Sequence, residues 1–166
     1  LYEGGIRVPT LVRWPGVTKP GSVCNDPIYT CDYYSTMAEM AGAPLEPGHQ
    51  PDGVSLTAAL RGRAMPERNL YWHYPHYSPQ LGRPSSALRR GDWKLIENLE
   101  TGKSELYNLK SDVGERKDLA GAEAKRFEAM RGELHAWRKK VDAQMPVPNP
   151  DYDPAREPKP AVEPVA

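Results

Sequence analysis

The sequence predicts an α/β segment over residues 1–65, then an α+β subdomain over 66–144 in which a small antiparallel sheet packs on one long helix, and a proline-rich extended tail over 145–166. Three observations support this fold class. Between residues 69 and 109 the apolar period approaches two, which is typical of strands. Within residues 122–141 apolar residues recur at steps of three and four, which is typical of a helix. Seven of the 18 prolines lie in the last 21 residues, where they interrupt regular structure.

The composition excludes several functional classes. Lys plus Arg and Asp plus Glu number 22 each among 166 residues, so the formal net charge is zero, whereas nucleic-acid and membrane-surface proteins carry a basic excess. No apolar run approaches the ~18 residues that a membrane-spanning helix needs. The two cysteines, Cys24 and Cys31, are too few for a disulfide-dense scaffold or a four-cysteine zinc site.

The first segment carries signals for one strand and two helices. Thr10–Trp14 resembles a short buried strand bounded by prolines. A helix is predicted from Asp32, as N-cap, to a stop at Gly42, with an apolar face at Tyr33, Met37, Met40 and Ala41. Ser55–Gly62 repeats this pattern in miniature, with Ser55 as cap and Gly62 as terminator.

The second segment alternates strands and turns before its long helix. Four strands are predicted over Leu70–Tyr74, Ser86–Arg90, Trp93–Asn98 and Glu105–Leu109, with Gly91-Asp92 as a two-residue hairpin turn. The helix is predicted within Ala122–Val141, and its apolar positions are Phe127, Met130, Leu134, Trp137 and Val141. Because the sheet and the helix each have one apolar face, we expect them to pack on each other.

The candidate functional residues lie where the first predicted strand runs into a loop. His73 and His76 stand among aromatic residues, and histidine suits proton transfer or hydrogen bonding to an anionic substrate near neutral pH. The alternative is that both rings satisfy local backbone groups. Two histidines three residues apart, with no third ligand nearby, are a weak zinc signal. Arg7 is expected to pair with an anion or, preferentially, with a buried carboxylate.

Other motifs give little support for further chemistry. The spacing of Cys24 and Cys31 permits a disulfide but does not assign one. Gly4-Gly5 lacks both the dinucleotide and the Walker pattern, and no Gly-x-Ser-x-Gly elbow occurs. Leu1 is not a methionine and no signal peptide follows it, so we expect the chain to begin within a longer protein.

The chain contains a series of motif blocks, namely Leu1–Pro9, Val12–Gly16, Asp32–Gly42, Asp52–Leu56, Leu60–Gly62, Ala87–Ile96, Glu105–Leu109, Asp112, Glu115 and Asp118–Ala120. Taken together and in this order, these blocks closely resemble type I sulfatases of the arylsulfatase A kind, in the alkaline phosphatase superfamily. The resemblance covers nearly all of residues 1–150.

The resemblance implies an alkaline-phosphatase-like α/β sandwich followed by a smaller C-terminal domain with a four-stranded antiparallel sheet and one long helix. It also implies sulfate ester hydrolysis by a formylglycine, made from the cysteine of a Cys-x-Pro-Ser-Arg motif, with a calcium ion. Neither cysteine of this chain lies in such a motif, and no Asp-Asp pair occurs. We therefore expect the nucleophile, the metal ligands and the last catalytic lysine to lie upstream of Leu1. The chain itself then has no catalytic or metal-ligating residues and is inactive alone.

By resemblance, the C-terminal domain closes one side of the substrate cleft, and His73, His76, Tyr77 and Arg83 are the candidate substrate-binding residues. The expected partners are the catalytic portion of the same polypeptide and a sulfated carbohydrate or aryl sulfate, without nucleic acid or membrane. The resemblance to this family implies export to the periplasm or to the outside of the cell. Two alternatives are a non-catalytic module that binds glycan or protein, and a phosphoesterase of the same superfamily. Against the module, a strand within Tyr2–Gly16 would leave an unpaired edge.

Overall fold

The computed structural model describes residues 1–43, 45–79 and 82–153. Three short helices come first: α1 (Glu3–Ile6), α2 (Asp32–Met40) and α3 (Thr57–Leu60). Four strands and then a long helix follow: β1 (Asn69–Tyr74), β2 (Ser85–Arg90), β3 (Trp93–Asn98), β4 (Ser104–Asn108) and α4 (Ala124–Lys140).

The strands form one antiparallel sheet in the order β1-β2-β3-β4. The predicted hairpin is confirmed: Arg90 pairs with Trp93 across Gly91-Asp92. Gly91 has a φ of +54°, a conformation that a two-residue hairpin requires and that glycine adopts without strain. Since side chains alternate along each strand, this register decides which residues share a face of the sheet.

One face of the sheet packs against α4, as the pattern predicts. Leu88, Leu95 and Leu106 lie side by side on adjacent strands and are fully buried against the helix. The predicted helix face is confirmed for the residues that contact this core: Met130, Leu134, Phe127 and Trp137. Val141 instead follows the last helical residue and is half-exposed.

The opposite face of the sheet is covered partly by the beginning of the chain. Its buried residues are Ala87, Ile96, Tyr107 and Leu109, and Leu1 packs against them. The sheet therefore lies between α4 and the N-terminal segment. This places residues 1–5 next to the ends of β2, β3 and β4.

The predicted strand at Thr10–Trp14 is wrong. Within the described residues, all strand pairing belongs to β1–β4, and nothing offers Thr10–Trp14 a neighbouring strand. Leu11 is 98% exposed, so the centre of the apolar run is not packed against the described residues. Residues Glu3–Ile6 form a helical turn instead of a strand, in spite of two glycines. Among the described residues, an added Cβ at Gly4 or Gly5 would meet nothing within 4 Å.

Helix α2 has the predicted bounds but buries a different face. Met37 is 65% exposed, whereas the buried residues of the helix are Asp32, Ser35 and Thr36. Asp32 does not cap the first turn. Its carboxylate accepts hydrogen bonds from the Tyr29 and Val54 amides, at 3.0 Å each, and from Arg68. Polar contacts with neighbouring loops thus decide the orientation of this helix.

The short helix α3 differs from the prediction in its N-cap residue. Its N-cap residue is Leu56, although the Ser55 hydroxyl does accept the Thr57 amide at 3.2 Å. Gly62 has a φ of +75°, as expected of a helix terminator.

The tail carries no helix or strand over residues 145–153, and the remainder of the predicted tail, 154–166, lies outside the described residues. Across the described ranges, no helix has both the length and the apolar character that crossing a membrane would require. The boundaries at residues 65 and 144 stay a prediction.

Candidate functional site

A cleft of about 630 Å³ opens on the face of the sheet opposite α4. Three segments bound it: residues 1–5, the β1–β2 loop and the β3–β4 turn. We call it the N-terminal cleft. It is lined by Leu1, Tyr2, Gly5, Ser78, Gly82, Arg83, Ser85, Ile96, Asn98, Thr101, Lys103 and Glu105. Its volume falls within the roughly 300–1,000 Å³ of small-molecule sites.

The β3–β4 turn forms one wall of the cleft and is stabilised by hydrogen bonds within the turn. The Asn98 side-chain oxygen accepts the amides of Glu100 and Thr101 at 2.9 and 3.0 Å. Gly102 has a φ of +71°, which this turn needs and which glycine tolerates. The Asn98 amide donates to the Lys103 carbonyl at 2.9 Å. These bonds fix the backbone from which the Lys103 side chain projects.

Two cations line the cleft, and each pairs with a carboxylate. Arg83 lies 2.9 Å from Glu100, and Lys103 lies 3.0 Å from Glu105. The side chains of Arg83 and Lys103 are 64% and 69% exposed. The Arg83–Glu100 pair is exposed on both sides and is therefore weak, whereas the Glu105 partner of Lys103 is partly buried.

The Glu105 carboxylate accepts hydrogen bonds from three side chains. One of its oxygens accepts the Tyr2 hydroxyl at 2.5 Å and the Tyr107 hydroxyl at 3.0 Å, and the other accepts Lys103. Burial acts to raise the pKa of Glu105, but these hydrogen bonds outweigh it and lower the pKa. Burial and the Glu105 carboxylate raise the pKa of Tyr2 and of Tyr107. The carboxylate stays ionised and the hydroxyls stay protonated at neutral pH.

The arrangement is suited to binding. Hydroxyls, an amide and two cations surround an apolar base. Among residues 1–43, 45–79 and 82–153, no three His, Cys, Asp or Glu side chains converge as metal ligands would. Cys24 and Cys31 are exposed and unbridged. The residues present therefore do not fit the calcium ion or the formylglycine that the sulfatase resemblance implies.

The structure separates the four predicted substrate-binding residues. Arg83 lines the N-terminal cleft. His76 and Tyr77 lie in the same β1–β2 loop and are exposed; the His76 ring packs edge-on against Tyr74 with centroids 5.5 Å apart. His73 points to the other face of the sheet, toward α4. The role of all four in substrate binding stays a prediction.

His73 belongs to a polar network at the end of α4. Its ring nitrogens lie 2.7 Å from the Ser86 hydroxyl and 2.7 Å from the Gln144 carbonyl oxygen. Arg138 lies 3.3 Å from the Ser86 hydroxyl and 2.8 Å from Glu97. Burial acts to raise the pKa of Glu97, but hydrogen bonds from His135 and Arg138 lower it. The network joins the sheet to α4 and to the residues that follow the helix.

A buried charge cluster beneath the cleft was not predicted. Lys94 is fully buried and lies 2.9 Å from a carboxylate oxygen of Glu3 and 2.9 Å from one of Glu115. Glu115 also accepts the Glu3 amide at 2.5 Å. Arg7 lies 3.5 Å from Glu3, which confirms its predicted pairing with a buried carboxylate. The cluster fastens residues 3–7 to β3.

Sequence reasoning also missed Tyr2, Lys103 and Glu105. Strand alternation was the available signal: Glu105 pairs with Ile96 in the register, so both side chains lie on one face. No pattern within the chain could indicate that Tyr2 reaches Glu105, which is 103 residues away.

This chain is similar in sequence and in fold to several sulfatases. The family model for the C-terminal region of N-sulphoglucosamine sulphohydrolase matches residues 1–144. A sulfatase from Formosa agariphila is 35% identical over 158 residues, which are 86% of this chain and 29% of that protein. Human arylsulfatase A is 39% identical over 93 residues, 56% of this chain and 18% of that protein. A solved 2-O GAG sulfatase is 28% identical with a TM-score of 0.53, covering 68% of this chain and 25% of that one.

The chain belongs to this family of sulfatase C-terminal regions. The resemblance to arylsulfatases and the predicted subdomain, a small antiparallel sheet with one long helix, are thereby confirmed. The chain spans less than a third of the length of these relatives.

Proposed function

We propose that this chain is the C-terminal part of a sulfatase that hydrolyses sulfate esters of sulfated carbohydrates, and that it lines one side of the substrate cleft. The observation that carries the proposal is the family match over residues 1–144. The polypeptide of which it is part supplies the formylglycine nucleophile and the calcium ligands. The chain alone is inactive.

The N-terminal cleft supports a binding role for this part of the enzyme. Leu1 and Tyr2 line it, so the cleft opens where the chain connects to the preceding part of the polypeptide. Arg83 of the β1–β2 loop lines the same cleft, and His76 and Tyr77 are exposed elsewhere in that loop. A 2-O GAG sulfatase shares the fold at 28% identity, which favours a sulfated glycan as substrate.

The experiment measures inorganic sulfate release by the full-length polypeptide. We expect release from an aryl sulfate and from sulfated disaccharides, and much slower hydrolysis of the matching phosphate esters. Preferential phosphate release would favour the phosphoesterase alternative instead. Glycan binding without release of either anion would favour the non-catalytic module.

The loop residues are tested by kinetics on the sulfated disaccharide. Replacing His76 or Tyr77 by alanine is expected to raise KM or lower kcat/KM while leaving the fold intact, because both side chains are exposed. His73→Ala breaks contacts to Ser86 and Gln144, so an effect there must be compared with its effect on stability. Unchanged kinetics in all three variants would remove these residues from the substrate site.

Location is also part of the proposal. We infer export to the periplasm or the exterior, which fractionation of cells producing the full-length polypeptide tests directly.

A further inference from the structure

The two cations of the N-terminal cleft are available to an anion from outside the chain. Both side chains are mostly exposed, and each has one carboxylate partner. The Arg83–Glu100 pair is exposed and contributes little net free energy, so a ligand anion replaces Glu100 at small cost. The Glu105 partner of Lys103 is partly buried, but it has other hydrogen-bond donors. A guanidinium and an ammonium in one cleft are suited to sulfate or carboxylate groups.

Neither carboxylate is left stranded by such an exchange. Glu105 keeps the hydroxyls of Tyr2 and Tyr107 when Lys103 turns away. Glu100 lies in an exposed turn, where water replaces Arg83. Breaking a buried pair would instead leave an unsolvated charge, as it would at Lys94. Lys103 and Arg83 are therefore two cations lining the described part of the cleft that can change partner.

The remainder of the lining suits a sugar ring. Leu1, Tyr2 and Ile96 supply apolar surface against which the C–H groups of a sugar can pack. Hydrogen-bonding side chains surround that surface, namely Ser78, Ser85, Asn98 and Thr101. A few polar groups placed around an apolar base are typical of small-molecule sites.

The walls of the cleft are held in place before any ligand arrives. The Leu99 amide donates to the Pro84 carbonyl at 2.8 Å and so joins the β3–β4 turn to the β1–β2 loop. Ser78 and Gly82 close that loop with bonds of 3.0 and 3.1 Å. A pre-organised site loses less entropy on binding than a mobile one.

We propose that the N-terminal cleft is a subsite for a second anionic sugar group, a sulfate or a carboxylate other than the ester to be hydrolysed, and that Lys103 and Arg83 bind that group. This inference rests on the proposed function, because it concerns the part of the substrate away from the reacting ester. Lys103 thereby becomes a specificity-determining residue.

The test compares four substrates of the full-length polypeptide. Three are disaccharides with the same cleavable sulfate ester, bearing in addition a second sulfate, a uronate carboxylate or neither; the fourth is an aryl sulfate. Lys103→Ala and Arg83→Ala are each expected to raise KM about two- to fivefold for disaccharides with a second anion. KM for the other two substrates is expected to stay unchanged. The control is Lys125→Ala on α4, across the sheet, which should change none of the four.

The pattern of KM changes identifies the bound anion and shows whether the proposed subsite fails. An effect confined to one anionic disaccharide assigns the subsite to that group, and an effect on both assigns it to either. Equal effects on all four substrates, or none, would overturn the subsite. If the unmodified protein releases no sulfate from any substrate, the proposed function fails; titration calorimetry with the disulfated disaccharide then tests the subsite alone, and equal affinity in Lys103→Ala would overturn it.

Discussion

Lys94 shows how a single residue joins two distant parts of the chain. Its ammonium group is fully buried between Glu3 and Glu115. Arg7 and Arg89 add two further cations, each 3.5 Å from Glu3. Glu115 has a φ of +53°, a left-handed conformation that is uncommon for residues other than glycine. The backbone at this position is held by the contacts of its own buried side chain.

Replacing Lys94 by methionine is expected to be strongly destabilising. The substitution leaves the buried Glu115 carboxylate without the cation that it contacts and removes the 2.9 Å partner of Glu3, which costs about 3–5 kcal/mol of unfolding free energy. Chemical denaturation measures this cost. The control Arg131→Met removes an exposed helix pair with Glu128 and is expected to cost less than about 1 kcal/mol. Equal costs in the two variants would contradict the assigned role of Lys94.

Asp32, like Lys94, is a buried charged residue that joins separate segments, here within the first part of the chain. Burial acts to raise the pKa of its carboxyl, but hydrogen bonds from Arg68 and from two backbone amides outweigh burial and lower it below the ordinary value of 3.8. A lowered folded pKa contributes stability that is present above the unfolded value and is lost as pH falls through the folded value. Acid therefore weakens this part of the fold.

The substitution Asp32→Asn tests that pH dependence. The variant is expected to be less stable at pH 7 and to lose less stability than the unmodified protein between pH 4 and lower values, because its amide does not titrate. Urea denaturation across that range measures both effects. Asp92→Asn, in the exposed β2–β3 turn, is the control and is expected to keep the original slope. Parallel slopes for Asp32→Asn and the unmodified protein would refute the linkage.

At the scale of elements, α4 and the sheet form the main core. Leu134 is fully buried against Leu88, Leu95 and Leu106. Leu134→Ala is expected to cost about 2–5 kcal/mol, from lost apolar burial and the cavity that remains. Val141→Ala, a smaller truncation at a half-exposed position just after the helix, serves as control and should cost far less. The test compares the free energies of unfolding of the two variants. Similar values would show that the packing of α4 does not stabilise the core.

The same elements show how far a sequence pattern reaches. The hairpin β2–β3 and the apolar face of α4 were predictable because each rests on local periodicity and a turn residue. The face of α2 was not, since its polar residues Ser35 and Thr36 bond to the backbone of Gly53 and Leu56. The strand predicted at Thr10–Trp14 failed because a strand needs a neighbour, and composition does not supply one.

The candidate site was predictable only in part, for the same reason. Arg83 was identified from its loop, whereas Lys103 lies in the cleft because β3 pairs with β4. His73 was singled out beside His76, but strand alternation turns its ring toward Ser86 and α4. Residues that meet through tertiary contacts leave no spacing pattern in the sequence.

At the scale of the whole molecule, the N-terminal segment and the sheet build the cleft together. Residues 3–7 are fastened by the buried charges at Lys94, and Tyr2 is fastened by Glu105. The wall of the cleft is therefore continuous with the core of the subdomain. In the proposed enzyme, this connection holds the substrate-binding loops in a fixed position relative to the segment that leads to the catalytic part.

The most direct test of the account is a crystal structure of the full-length polypeptide with an uncleaved sulfated disaccharide. The account predicts sugar density in the N-terminal cleft, with an anionic oxygen within hydrogen-bond distance of Lys103 or Arg83 and the cleavable ester at the catalytic centre. A disaccharide bound at the catalytic centre but away from this cleft, or a cleft filled by another part of the polypeptide, would contradict it.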